Sequence, residues 1–93
     1  MAKYEMLYIL DPETPDEAKE AVIAKFENVV TSNGGAVEKT EKWGMKKLQY
    51  PINHKTEGYY VVMSFEAGPM LVEELKRVSR ITDEVVRRLI TRL

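Results

Sequence analysis

The chain has 93 residues, no cysteine, 44% hydrophobic and 31% charged residues; this is the composition of one folded domain over residues 1–93, not of a disordered tail, a disulfide scaffold or a zinc ribbon. A single histidine, His54, excludes a His-rich metal site, and the apolar run Met6 to Leu10 falls far short of the ~20 residues that cross a bilayer. The net charge of −1 hides a split: residues 1–41 hold nine acids against four bases, −5, whereas residues 42–93 hold ten bases against six acids, +4.

Lys3 to Leu10 alternates as a strand, with Tyr4, Met6, Tyr8 and Leu10 as the core row and Lys3, Glu5, Leu7 and Ile9 on a partly covered second row. Asp11-Pro12-Glu13 is a turn. Thr14 is then expected to cap a helix, with Pro15 at its first position and Glu17 completing a capping box. Ala18, Val22, Phe26 and Val29 form its buried stripe, with Lys19, Glu20 and Glu27 off it. Asn33-Gly34-Gly35 supplies the positive-φ residues that stop the helix.

Ala36 to Tyr50 has strand-like residues interrupted by Gly44, which predicts a bulge or bend, and Pro51 ends or edges the strand. A polar loop, Asn53 to Glu57, leads into Gly58 to Glu66, and the two strands read as a hairpin. Gly68-Pro69 opens a second helix with Leu71, Leu75 and Val78 inward. Glu73 and Glu74 lie near its start and Lys76, Arg77 and Arg80 at its end, matching the helix dipole. After Thr82-Asp83-Glu84, Val85 to Arg92 is the last strand, with either Val86, Arg88 and Ile90 or Val85, Arg87 and Leu89 inward. The order β-α-β-β-α-β predicts an α+β, ferredoxin-like split βαβ sandwich: a four-stranded antiparallel sheet with two helices on one face. The other face is left for solvent, ligand or partner.

The residues show no enzyme constellation. His54 has Glu57 close in sequence, but no nucleophile signature accompanies the pair, and a solvated loop histidine is the plainer reading. Ser32, Ser64 and Ser79 sit in no nucleophile elbow, and Gly34-Gly35 precedes a strand, so it offers no helix N-terminus to a phosphate. Glu73 and Glu74 are adjacent and diverge on a helix. Trp43, beside the Gly44 bend, suits stacking or a partner contact, though packing on the sheet or hairpin is the commoner use. Lys46 and Lys47 point to opposite faces of their strand. Arg77, Arg80, Arg87 and Arg88 flank the turn before the last strand, where several are expected to converge as phosphate ligands. The plainer use is ion pairing with Glu73, Glu74, Asp83 and Glu84. Glu57-Gly58-Tyr59-Tyr60-Val61-Val62-Met63-Ser64 begins like an RRM core but lacks its leading base and later aromatic, which excludes that module while leaving RNA as a partner.

Tyr4-Glu5, Gly44-Met45-Lys46-Lys47-Leu48-Gln49-Tyr50-Pro51-Ile52, Gly58-Tyr59-Tyr60 and Asp83-Glu84-Val85-Val86-Arg87 together resemble the S-six family, the sixth protein of the bacterial small ribosomal subunit. The resemblance covers essentially the whole chain. It implies a non-enzymatic, ribosomal, cytoplasmic rRNA-binding protein without cofactor, metal, membrane or small-molecule substrate. It also implies a heterodimer with the eighteenth small-subunit protein, bound to the central domain of small-subunit rRNA. By similarity, Arg80 and Arg87 are the leading rRNA contacts, followed by Lys46, Lys47, Arg77 and Arg88. Glu5, Leu7, Tyr60 and Val62 are the expected contacts with the protein partner on the uncovered sheet. A basic partner would reconcile RNA binding with a net charge of −1. The C-terminal tail of some family members is not expected here. The competing readings are a small ferredoxin-like oxygenase or acylphosphatase-type hydrolase, and a homodimeric small-molecule-binding regulatory module.

Overall fold

Alternation along β1 (Ala2–Leu10) divides the molecule into two sides. Met6, Tyr8 and Leu10 are fully buried, and Tyr4 packs on the same core. Glu5, Leu7 and Ile9 look out through the other side. A computed structural model describes residues 1–52 and 54–93. The remaining elements are α1 (Asp16–Ser32), β2 (Ala36–Ile52), β3 (Lys55–Ala67), α2 (Pro69–Arg80) and β4 (Val85–Arg92). The sheet order is β2-β3-β1-β4 with every pair antiparallel. Both helices lie on one face, which is the expected ferredoxin-like architecture.

The helix-covered core is built from Met6, Tyr8, Val61, Met63 and Phe65 of the sheet and from Phe26, Val30, Leu71, Leu75 and Val78 of the helices. Tyr8 meets Phe26 edge to face with centroids 4.9 Å apart, and Tyr4 stacks on Phe65 at 5.7 Å. Such pairs add to the burial of their area.

The start of α1 differs from the expected capping box. Pro15, extended at φ −60° and ψ 152°, is the cap itself, and its carbonyl accepts from the Lys19 amide at 2.9 Å. No side chain caps the helix. Thr14 is instead the end of a turn in which its amide donates to the Asp11 carbonyl, and the helix begins one residue later than the capping box requires. The buried stripe also turns: Val22 and Phe26 are inward as expected, but Ile23 and Val30 replace Ala18 and Val29 as the buried neighbours. Lys19 is buried too, with its ammonium 4.6 Å from the centre of the Tyr59 ring and 3.5 Å from Asp16. Its long stem serves as apolar cover while the charge stays partnered. Of the two glycines after the helix, only Gly34 takes a positive φ.

Two glycines shape the β2–β3 hairpin. Gly44 adopts φ 82° where the pairing slips between Lys42 and Gly44, so the expected bulge is there. Gly58 lies against β1: a Cβ at that position would stand 2.3 Å from Ile9 Cγ2. Pro51 falls within β2, an edge strand where its missing donor costs nothing. The hairpin connection is shorter than the expected loop, because β3 already begins at Lys55; the part of that loop at Asn53 lies outside the described residues.

β4 resolves its own parity in an unexpected way. Leu10 pairs with Val85 but Ile9 pairs with Arg87, so one extra residue, Val86, is inserted. The insertion places Val85 and Ile90 against the helix-side core together, which neither continuous row allows. Arg88 pairs with Tyr8 and shares the helix side, whereas Arg87 and Leu89 pair with Ile9 and Leu7 and share the open side.

Candidate nucleic-acid interface

Cations gather where α2 ends beside β4. The last turn of α2 carries Arg77 and Arg80 at the negative end of the helix dipole. Lys76 lies four residues before Arg80 on the same helix face, and Arg88 approaches from β4. Lys76, Arg80 and Arg88 line one cleft with Leu89 and Ile90. Lys76 is loosely paired with Glu73 at 3.6 Å. Among the described residues, neither Arg80 nor Arg88 takes part in an ion pair. Lys76 is not among the site residues expected from the sequence, although its i, i+4 spacing to Arg80 is the signal that could have found it.

Of the four arginines that flank the turn, Arg80 and Arg88 come together, and the other two are engaged elsewhere. Arg77 is engaged by a fork of two hydrogen bonds, Nε to Glu74 Oε1 at 2.8 Å and Nη2 to Glu74 Oε2 at 2.9 Å. That pairing holds the Glu74 carboxyl below its usual range and raises the guanidinium further. Arg87 faces the other side of the sheet from Arg88, because adjacent strand residues alternate. There its Nη1–H donates to the Tyr50 hydroxyl at 2.6 Å, and its guanidinium lies 5.8 Å from the centre of that ring. Tyr50 is in β2 and Arg87 in β4, at opposite edges of the sheet. The bent hairpin therefore reaches across the open face.

Lys46 and Lys47 diverge as expected: Lys46 pairs with Gly58 and Lys47 with Glu57. Lys46 Nζ sits 5.4 Å from the centre of the Trp43 ring. Trp43 itself is half exposed rather than packed away, and its Nε1–H donates to Glu41 at 3.3 Å. Lys39 also pairs with Glu41 at 2.8 Å, and the two hydrogen bonds lower the Glu41 carboxyl, Lys39 having the larger influence.

Glu5, Leu7, Tyr60 and Val62 lie together on the open face. Leu7 pairs with Val62, Ile9 with Tyr60 and Glu5 with Ser64. Leu48 folds onto the same face from the hairpin, and it lines a pocket with Leu7, Ile9 and Tyr60. Several acids of residues 1–41 hold lysines of the hairpin instead. Lys55 draws the hairpin to the β1–α1 turn through Asp11 at 3.3 Å and Glu13 at 2.5 Å, and Lys42 holds Glu20 of α1 at 2.6 Å. His54 is exposed at the hairpin turn with φ 64°.

A family model described as Ribosomal protein S6 matches residues 3–92. The chain belongs to the ribosomal protein S6 family. Among curated relatives, the small ribosomal subunit protein bS6 of Clostridium novyi (strain NT) is 51% identical over 87 residues, covering 94% of this chain and 92% of that protein. The bS6 protein of Moorella thermoacetica is 41% identical, covering 100% of this chain and 95% of that protein. The crystal structure of 30S ribosomal protein S6 from Thermotoga maritima superposes with a TM-score of 0.94 at 29% identity, covering 99% of this chain and 87% of that one. A structure from Arabidopsis thaliana with a TM-score of 0.58 and 15% identity shares the fold alone. As a member of the ribosomal protein S6 family, the protein is a structural ribosomal component and not an enzyme. No side chain therefore has to be assigned a chemical step.

Proposed function

We propose that the cleft between α2 and β4 carries the rRNA contact of this structural, rRNA-binding constituent of the small ribosomal subunit, and that the open sheet face carries its protein contact. The rRNA surface is the central domain of small-subunit rRNA, and the protein partner is the eighteenth small-subunit protein. The whole chain, residues 1–93, acts as one domain in this arrangement.

The supporting observation is the placement of Arg80 and Arg88 with Lys76 around one cleft, with no carboxylate paired to either arginine among the described residues. Free guanidinium groups suit phosphate oxygens, because their planar forks donate in pairs. Arg77 contributes less, since leaving Glu74 costs it two charge-assisted hydrogen bonds. Lys46 and Lys47, in β2 at the other edge of the sheet, are separate and weaker phosphate contacts on the hairpin. Arg87, a leading candidate from similarity, stands on the face occupied by Glu5, Leu7, Tyr60 and Val62, and its contact falls where rRNA and protein surfaces would meet. A partner that brings its own bases supplies the counterion release that a chain of charge −1 cannot supply alone.

The test is a salt titration of binding to a central-domain rRNA fragment, with and without the partner protein. Tight binding is expected only with the partner. Changing Arg80 and Arg88 together to Ala should lower the magnitude of the salt slope by about 2, roughly one for each phosphate no longer neutralised. Arg80 is exposed at the end of α2 and Arg88 is half-buried within β4, so unfolding in urea should change by about 1 kcal/mol or less. An unchanged affinity and slope at moderate salt would remove the cleft from the interface.

A further inference from the structure

The open face is not flat. Leu7, Ile9, Leu48 and Leu89 enclose a pocket of about 200 Å³, with Tyr60 on its wall. An apolar cavity of ~150 Å³ is large enough to hold a benzene molecule, so this one accepts a whole apolar side chain. Arg87 and Tyr50 stand at its rim. Their hydrogen bond uses one of five guanidinium donors, which fixes the group and leaves the other donors available. Arg87 makes no ion pair among the described residues. A charged, oriented and unpaired donor beside an aliphatic pocket is complementary to an apolar body that carries a carboxylate.

We propose that this pocket seats a branched apolar side chain from an extended segment of a protein partner, with an adjacent carboxylate of that segment taken by Arg87. The proposal rests on the reading of the open face as the protein-binding side. Four aliphatic walls outnumber the two aromatic rings, Tyr50 and Tyr60, and the Tyr50 hydroxyl is already tied to Arg87, which favours a side chain over a stacked nucleobase. Fixing of the arginine by Tyr50 before binding spares part of the ordering cost of association. The bend at Gly44 and the close approach at Gly58 give the hairpin its path over the face, so the pocket is a product of the hairpin's curvature.

The probes are N-acetyl-leucine, its uncharged amide N-acetyl-leucinamide, and a short oligouridine, each titrated into the full chain and followed by methyl NMR. N-acetyl-leucine should shift the methyl signals of Leu7, Ile9, Leu48 and Leu89 and bind about tenfold tighter than the amide, as a charge-assisted contact requires. Arg87→Gln should abolish the preference for the acid, and Arg80→Gln should keep it. Equal binding of acid and amide, or displacement of the acid by oligouridine, would overturn the assignment. In parallel, calorimetric titration with the eighteenth small-subunit protein should show about a tenfold loss of affinity for Arg87→Gln. Glu5→Arg, on the same face outside the pocket, separates the two levels. If Glu5→Arg weakens the partner and Arg87→Gln does not, the pocket assignment fails alone. If neither weakens it, the open-face reading fails with it. Circular dichroism checks that each variant is folded.

Discussion

Tyr8 and Ile9 are neighbours in β1, and both are buried, but different parts of the chain cover them. Tyr8 is sealed by helices: Phe26 meets its ring and no solvent reaches it. Ile9 is covered by sheet neighbours and by a hairpin that bends back, and beside it lies an apolar pocket with an arginine at the rim. Two amphipathic helices carry a continuous apolar stripe and fill their side of the sheet. A bent hairpin offers only every second residue to the face that it crosses, and it leaves gaps. The closed side of this protein therefore holds the packed core, and the open side keeps a gap lined in part by exposed and half-buried side chains.

The comparison breaks first if the two sides respond alike to truncation. Phe26→Ala should cost about 3–5 kcal/mol in urea unfolding, the range for a large aromatic removed from a packed core. Leu89→Ala, on the open face and more than half exposed, should change stability by no more than ~0.5 kcal/mol. Equal losses would mean that the open face is a second core.

A smaller effect tests the hairpin. Gly58→Ala forces a Cβ into contact with a branched Ile9 methyl that has little room to swing away. A loss of about 1–3 kcal/mol is expected, together with altered methyl shifts at Leu48. If the variant is as stable as the parent, the hairpin does not press on β1 as described.

The smallest effect concerns the closed side itself. The Tyr8 hydroxyl is buried and has no hydrogen-bond partner among the described residues. Burial above all, then the nearby charges of Glu27 and Glu20, hold its ionisation well above the ordinary tyrosine value. The folded pKa is raised above the unfolded one, so the contribution is complete below pH ~10 and falls as pH rises through and beyond it. Tyr8→Phe should leave stability at pH 7 unchanged or raise it by about 1 kcal/mol, and it should flatten the loss measured above pH ~10. A substantial loss at pH 7 would show that the hydroxyl has a partner after all.

Much of this is legible in the chain itself. The β1 core row, the inward residues of α2, the Gly44 bulge and the six-element order follow from periodicity and from glycine and proline chemistry. The motif around Gly44 to Ile52 already indicates the family. The start of α1 is misleading in sequence because Thr14 and Glu17 fit a capping box in spacing, while the turn from Asp11 takes up Thr14 and leaves Pro15, itself extended, as the cap. Lys19 reads as a polar surface residue because a one-dimensional pattern does not show that a lysine stem can cover Tyr59.

The candidate site divides along the same line. The sequence alone determined that the basic residues cluster late in the chain, that Lys46 and Lys47 diverge, and that Glu5 and Leu7 share the second row of β1, whereas Tyr60 and Val62 came from the family resemblance. The former statements depend on residue type and on the period of a strand, both of which are local. Only the tertiary structure decided that Arg88 joins Arg80 while Arg87 joins Tyr50, and that Arg77 is committed to Glu74. The physical reason is that an inserted residue at Val86 resets the parity of β4, and a curved hairpin brings together side chains 37 positions apart. Neither the slip in register nor the curvature leaves a periodic mark in the sequence; both are settled by the packing of one strand against another.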